Sequence, residues 1–235
     1  MENFKTLFAQ SSRPIKISLD QKKLDQQSQH WETNFSSKPE MFGLEPSIPA
    51  VEALKFFKEK NIKNIVELGA GLGRDTVYFA QNSIRVQAID YSKTAIKNIT
   101  NKAEKLNLTK FIKPKLFDVI EKLPFENNSI GGCFSHMLYC MALVSSELEG
   151  LNNEIHRILK PGGINIYTVR HTEDGDYKNG IHRGENLYEN DGFIKHFFSK
   201  DKVNQLSKGF EILDIEKFEE GKFPRKLFLV KNKKI

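Results

Sequence analysis

The stretch Val66-Glu67-Leu68-Gly69-Ala70-Gly71-Leu72-Gly73-Arg74-Asp75 constrains this chain most. An apolar run holding one acid ends in three glycines at alternate positions. The run has the length and residue types of a short buried strand, and the glycines let backbone turn and approach a neighbour where a Cβ would block it. Downstream the pattern repeats. A helix over 74–81 leads to the strand RVQAID, and a helix opened by Ser92 leads to FIKPKLFD. GGCFSHM is a fourth strand, a helix over 145–159 ends at Lys160-Pro161-Gly162-Gly163, and INIYTVR is the fifth. Strands alternating with helices at these lengths predict right-handed crossovers and parallel pairing. FEILDIEKFEEGKFPRKLFLVKN then reads as two strands around a tight turn, an antiparallel edge hairpin. The expected fold is α/β: a doubly wound, mostly parallel seven-stranded sheet with helices on both faces.

At 235 residues there is room for one sizeable domain. It is expected over 47–235, starting at a helix marked by Ser47 and Pro49. Residues 1–46 read as an appended arm. Its aromatic loop, with Trp31, Phe35 and Phe42, reads either as a lid over a ligand or as packing for an appended helix. The N-terminus shows no signal-peptide pattern, and no apolar run is long enough to span a membrane. Two cysteines, Cys133 and Cys140, match neither a disulfide framework nor a metal pair. A cytoplasmic location is expected, as monomer or homodimer. The net charge of +6 comes mostly from dispersed lysines, which reads as a solvated surface rather than a nucleic-acid face.

In a doubly wound sheet, ligands sit outside the carboxyl ends of the strands. The glycines there follow GxGxG, not the GxGxxG that holds a pyrophosphate on a helix N-terminus. Glu67 stands two residues before Gly69, where a carboxylate disfavours phosphate and suits a cation. Asp90, 21 positions after Gly69, can accept both hydroxyls of a ribose, and Asp118, 28 further on, can accept from an adenine amino group. Glycine floor, ribose acid, adenine-side acid and no phosphate clamp suit a positively charged nucleoside.

These motifs, with LKPGG before the fifth strand, resemble the class I S-adenosylmethionine-dependent methyltransferases, with a Rossmann-like fold, over roughly 47–232. The resemblance implies that Glu67, Gly69, Gly71 and Gly73 surround the methionine part of S-adenosylmethionine. It implies that Asp90 binds the ribose and Asp118 lies near the adenine, with Tyr91, Val119 and Ser135 also in the cofactor site. The GRD ending is similar to the branch with tellurite-resistance and thiopurine-type enzymes.

Methyl transfer from a sulfonium needs alignment, exclusion of water and, for some acceptors, a base. The acceptor site is expected over strands four and five, with His136, Tyr139 and His171 as catalytic candidates and Arg170 beside them. His136 reads either as a general base or as a histidine bonded to backbone. The polar segment 169–199 reads either as a loop making acceptor contacts, with His171, His182 and Arg183 suited to an anionic acceptor, or as a solvated loop. Its His171, Asp174, Asp176 and His182 match no known metal spacing, so no metal is expected. No NPPY-type tetrapeptide follows strand four and no cysteine follows a proline, so a small-molecule acceptor is expected. An RNA or protein methyltransferase using the basic surface, and a non-catalytic cofactor-binding module, are the alternatives.

Overall fold

The structure, a computed structural model, describes residues 21–39, 41–221 and 224–235. The first part of the expected arm, with its two weak apolar patches Phe4/Leu7/Phe8 and Ile15/Ile17/Leu19, lies outside the described residues.

Two helices, α1 (Gln21–Asp25) and α2 (Gln27–Ser37), precede the alternating unit. Next come α3 (Ile48–Glu59), β1 (Asn64–Leu68), α4 (Arg74–Gln81), β2 (Arg85–Asp90), α5 (Lys93–Lys105), β3 (Ile112–Leu116), β4 (Ile130–Ser135), α6 (Ser145–Ile158) and β5 (Leu159–His171). Ser47 and Ser92 cap α3 and α5, each hydroxyl accepting from the backbone N–H three residues on. The strands run β3-β2-β1-β4-β5, all parallel. The hairpin of β9 (Phe210–Glu220) and β10 (Arg225–Lys234) then adds to β5 antiparallel, through β10. These are the seven strands expected.

Alternation along β1 assigns the two faces. Ile65 joins Phe57, Phe79, Ile99 and Phe134 under α3, α4 and α5, while Val66 and Leu68 join Leu148, Ile155, Tyr167 and Val203 under α6 and α7 (Lys200–Leu206). Full burial of a Phe or Leu side chain contributes about 2–3 kcal/mol, so these two layers carry the fold.

Two regions differ from expectation. Trp31 and Phe35, read in a loop, lie on α2, where Phe35 is buried; the second region is the segment after β5. That segment, read as a loop, holds β6 (Ile181–His182), β7 (Leu187–Asn190) and β8 (Phe193–Phe198), an antiparallel meander. Strand β5 outruns β4, and its exposed edge at Arg170 and His171 pairs with Phe197 and Phe198. Asp191 and Gly192 take φ 51° and 81°, the two positive values of a tight hairpin turn. The segment's charges are spent in pairs. Arg170, buried, holds Asp174 at 2.6 Å and Asp176 at 2.9 Å; Lys195 holds Asp176 at 2.7 Å; Arg183 pairs with Glu189.

Helix α2 lies between this meander and the parallel sheet. Gln27 brackets the β7–β8 turn, donating to Gly192 O at 3.0 Å and accepting from Ile194 N at 3.1 Å. Trp31 packs on Phe193 with ring centres 5.0 Å apart. At the other side Glu32 accepts from Ser92 Oγ at 2.5 Å and from Thr94 Oγ1 at 2.6 Å and N at 3.2 Å. A carboxylate is thus held at the N-terminus of α5, where free N–H groups and the helix dipole favour it.

Candidate functional site

A cavity of about 380 Å³ opens at the carboxyl ends of β1, β2 and β4, with α1 and α2 as roof and Glu220 and Arg225, the facing ends of β9 and β10, as one wall. Gly69, Ala70, Gly71 and Leu72 form its floor. Gly71 has φ 52°, and a Cβ added there would point into the cavity, meeting Phe35 at 3.7 Å and Phe42 at 3.9 Å.

Asp90 closes one side. Its Oδ2 accepts from Gly71 N at 2.8 Å and its Oδ1 from Ser92 N at 2.9 Å. Each oxygen keeps a lone pair for a second donor. Burial raises this carboxyl to about 6, against the effect of those two N–H groups. Tyr91, Asp118 and Val119 continue the same wall, and burial also pushes the Tyr91 hydroxyl up. Beneath the glycines Glu67 accepts from Thr76 Oγ1 at 2.6 Å. Burial, then the neighbouring Asp75, hold Glu67 well above the usual carboxylate range. Asp75 accepts from the Ser47 N–H and hydroxyl and pairs with Arg74, which also donates to Phe42 O at 3.2 Å.

At the far end His136 is held by three elements. Met137, just past β4, has φ 67°, a value that costs a residue with a Cβ about 1–2 kcal/mol. Its N–H donates to Thr168 Oγ1 on β5 at 2.8 Å, and Thr168 Oγ1 lies 3.0 Å from His136 Nδ1. His136 Nε2 is 3.3 Å from Glu220 Oε1, and Glu220 Oε2 is 3.0 Å from Arg225. Burial of Glu220 works toward a higher value, but His136, Arg225 and Arg74 together hold the carboxyl below its ordinary one.

Besides Glu67, which burial holds toward its neutral form, the described lining carries six carboxylates, Asp25, Asp75, Asp90, Asp118, Glu147 and Glu220, against two guanidiniums and no lysine. Each guanidinium is paired, so the cavity suits a cation and repels a pyrophosphate. The fit to S-adenosylmethionine rests on this charge, on the glycine floor that a Cβ would fill, and on the acceptor capacity of Asp90.

Among the residues expected from sequence, Glu67, Gly69, Gly71, Asp90, Tyr91, Asp118, Val119 and His136 line the cavity. Four stand elsewhere. A Cβ at Gly73 would meet Ile99 Cγ1 at 2.6 Å, so this glycine serves the packing of α4 on α5. Ser135 is fully buried in β4. Tyr139 is buried under the sheet, stacked on Tyr167 at 4.2 Å and donating to Asn152 Oδ1 at 2.7 Å. His171 is buried against Phe228 and accepts from Glu173 N at Nδ1; burial keeps it below the usual imidazole value. Arg170, expected near the acceptor, is bound by Asp174. Sequence reading missed Glu220, Arg225, Asp25 and Gln27; the hairpin was visible, but not which cavity it would wall.

Residues 66–167 match the family described as methyltransferase domain. Phosphoethanolamine N-methyltransferase 1 of Triticum aestivum is 37% identical over 123 residues, 51% of this chain and 24% of that protein. A tRNA N(3)-cytidine methyltransferase of Bos taurus is 28% identical over 60% of this chain and 40% of its own length. This chain therefore spans between a quarter and two fifths of these curated relatives. Among solved structures, Burkholderia thailandensis 1,6-didemethyltoxoflavin-N1-methyltransferase, with bound S-adenosylhomocysteine, aligns over 98% of both chains with a TM-score of 0.73 at 16% identity. Over residues 66–167 this chain is similar to the methyltransferase domain family, and it shares its fold with the methyltransferase structure just described.

Proposed function

We propose that this chain transfers a methyl group from S-adenosylmethionine to a small molecule held inside the roofed cavity. The observation that carries the reading is that one cavity joins the glycine floor and Asp90 to the His136–Glu220 pair. S-adenosylmethionine, when bound, supplies a methyl group on a positively charged sulfur that leaves neutral, so no anion has to be stabilised. The work left to the chain is binding, alignment and proton handling. Gly71 admits close approach, Asp90 accepts from ribose hydroxyls, Asp118 lies on the adenine side, and the carboxylates balance the positive charge.

Glu220 is the proton-accepting group, and His136 positions its carboxylate. Thr168 Oγ1 already accepts from Met137, so its own hydrogen can be aimed at His136 Nδ1. Nε2–H then donates to Glu220, which fixes the ring plane at the cavity wall. Helices α1 and α2 exclude water from this end. Their position favours a small acceptor, since a macromolecule would have to displace them. Cys133 and Cys140 are free and buried, which accords with a reducing, cytoplasmic setting. No helix among the described residues is long and apolar enough to cross a membrane.

The test is calorimetry with S-adenosylhomocysteine, followed by methyl transfer from labelled S-adenosylmethionine into a metabolite extract. Saturable binding and a labelled small product are expected. Tighter binding of NAD would reject the reading, and salt-sensitive labelling of RNA in place of small products would move it to a nucleic-acid acceptor.

A further inference from the structure

We propose that the methyl acceptor is an uncharged molecule with an apolar, ring-bearing body and one proton-bearing heteroatom, and that Met141 helps select it. This rests on the methyltransferase reading. It concerns the far end of the same cavity, built from α1, the start of α2, residues 136–144 and the facing ends of β9 and β10. The charged side chains there are already engaged. Glu147 accepts from Val144 N at 2.9 Å and so caps its own helix. Glu220 is shared between His136 at 3.3 Å and Arg225 at 3.0 Å, and its charge and that of Arg225 cancel. Asp25 is partnered within the chain. Gln27, the amide of this end, is spent on Gly192 and Ile194. An ion of either sign would leave water here and find no free counter-ion to replace it, which disfavours both. Asp90 and Asp118 stand at the glycine end, where the cofactor's positive charge would be balanced.

The rest of this end is apolar. Leu24, Trp31, Met137, Met141 and Leu143 line it. Met137, Met141 and Leu143 pack on the core beneath α6 yet stay only half-buried. The Met137 sulfur accepts from Cys140 Sγ at 3.6 Å, which anchors that thioether. The Trp31 indole is fixed between Phe193 and Phe35, with ring centres 5.0 Å and 5.4 Å away. A held indole and polarisable thioethers suit a ring more than a charged group. Glu220 keeps lone pairs beyond its two bonds, so the acceptor's O–H or N–H can donate to it.

Trp31 is the chain's single tryptophan and lines the cavity, so its emission reports on this site. The protein is first saturated with S-adenosylhomocysteine. It is then titrated at neutral pH with three phenols of similar shape: para-ethylphenol, uncharged; tyramine, a cation; and para-hydroxyphenylacetate, an anion. The uncharged phenol is expected to bind at least about tenfold tighter than either ion, a difference of roughly 1.4 kcal/mol. Met141→Gln keeps the length of the side chain but presents an amide, and should weaken para-ethylphenol several-fold. Met141→Leu keeps an apolar group of similar volume and should restore wild-type binding. S-adenosylhomocysteine affinity should be unchanged in both variants. A smaller preference, tighter binding of either ion, or no saturable response to any probe would overturn the proposal. So would an unchanged affinity in Met141→Gln, or an equal loss in the two variants. Failure of S-adenosylhomocysteine to bind the wild-type protein appears before any probe is added and counts against the methyltransferase reading itself.

Discussion

Gly71 and Gly73 stand two residues apart in one motif, yet their surroundings predict opposite losses. At Gly73 φ is 79° and an added Cβ would lie 2.6 Å from Ile99 Cγ1 and 3.5 Å from Ile99 Cβ. The left-handed backbone costs an alanine about 1–2 kcal/mol, and forcing a methyl into a packed core costs about 1–3 kcal/mol more. Gly73→Ala should therefore lose roughly 2–5 kcal/mol of stability, or roughly 5–15 °C in Tm for a domain of this size. At Gly71 φ is 52° and the nearest atoms are 3.7 Å and 3.9 Å away, so only the backbone cost applies. Gly71→Ala should cost about 1–2 kcal/mol in stability, but its methyl occupies the space where the backbone must approach the cofactor. Denaturant unfolding measures the first effect and S-adenosylhomocysteine calorimetry the second. The expected pattern is a weakened fold with retained binding for Gly73→Ala, and a nearly intact fold with lost binding for Gly71→Ala. A double-mutant cycle of Gly73→Ala with Ile99→Ala should return a coupling of about 1 kcal/mol or more, because the second change removes the atom in the way. Wild-type stability in Gly73→Ala, or normal binding in Gly71→Ala, would refute the assignment of these glycines.

Three further outcomes are expected. Because burial raises Asp90 to about 6, its anion is present above that pH and is lost as the solution is acidified through it. S-adenosylhomocysteine affinity should fall roughly tenfold between pH 7 and pH 5, and Asp90→Asn should bind weakly with no such dependence. Hydrogen bonds from Ser92 and then Thr94 hold Glu32 below its ordinary 4.5, so its anchorage of α2 is complete above that value and fades as pH falls through the lowered one. Glu32→Gln should loosen the roof by about 1 kcal/mol at neutral pH, seen as faster amide exchange over α2; unchanged exchange would remove Glu32 as an anchor. Tyr139→Phe should lose about 1–3 kcal/mol by stranding Asn152 Oδ1, with cofactor binding and turnover intact, and a selective loss of turnover would return Tyr139 to catalysis.

The parallel sheet and the cofactor end of the cavity were legible because their signals are local. A buried strand followed by bare backbone, and an acid at the end of the next strand, carry their meaning within ten residues of themselves. The acceptor end is not local. His136 was readable as a polar residue at the end of the fourth expected strand, just past β4, but Glu220 and Arg225 come from a hairpin at the other end of the chain and reach His136 only because β10 pairs with β5. Composition misled over the segment after β5. Its histidines, acids and arginines looked like ligand contacts, whereas Arg170, Asp174, Asp176 and Lys195 neutralise one another and fasten a small sheet. The Asp191-Gly192 turn was the overlooked sign of that sheet.

Tyr139 shows why spacing alone could not separate the wall of the cavity from the core. It lies three residues beyond His136, so one polar cluster seemed to serve one site. Met137 breaks that continuity with its φ of 67°. No residue type announces such an angle when it is not glycine, asparagine or aspartate. It is held here by the bond from its N–H to Thr168, contributed by another strand. Past that point the chain turns beneath the sheet, leaving His136 at the cavity wall and sending the Tyr139 ring onto Tyr167. The same bond fixes both outcomes, so Thr168→Val should disturb the His136 ring and the stacking of Tyr139 on Tyr167 together. Ring chemical shifts of the two residues can be followed by NMR. If His136 moves while Tyr139 stays, the turn is held by something other than Thr168.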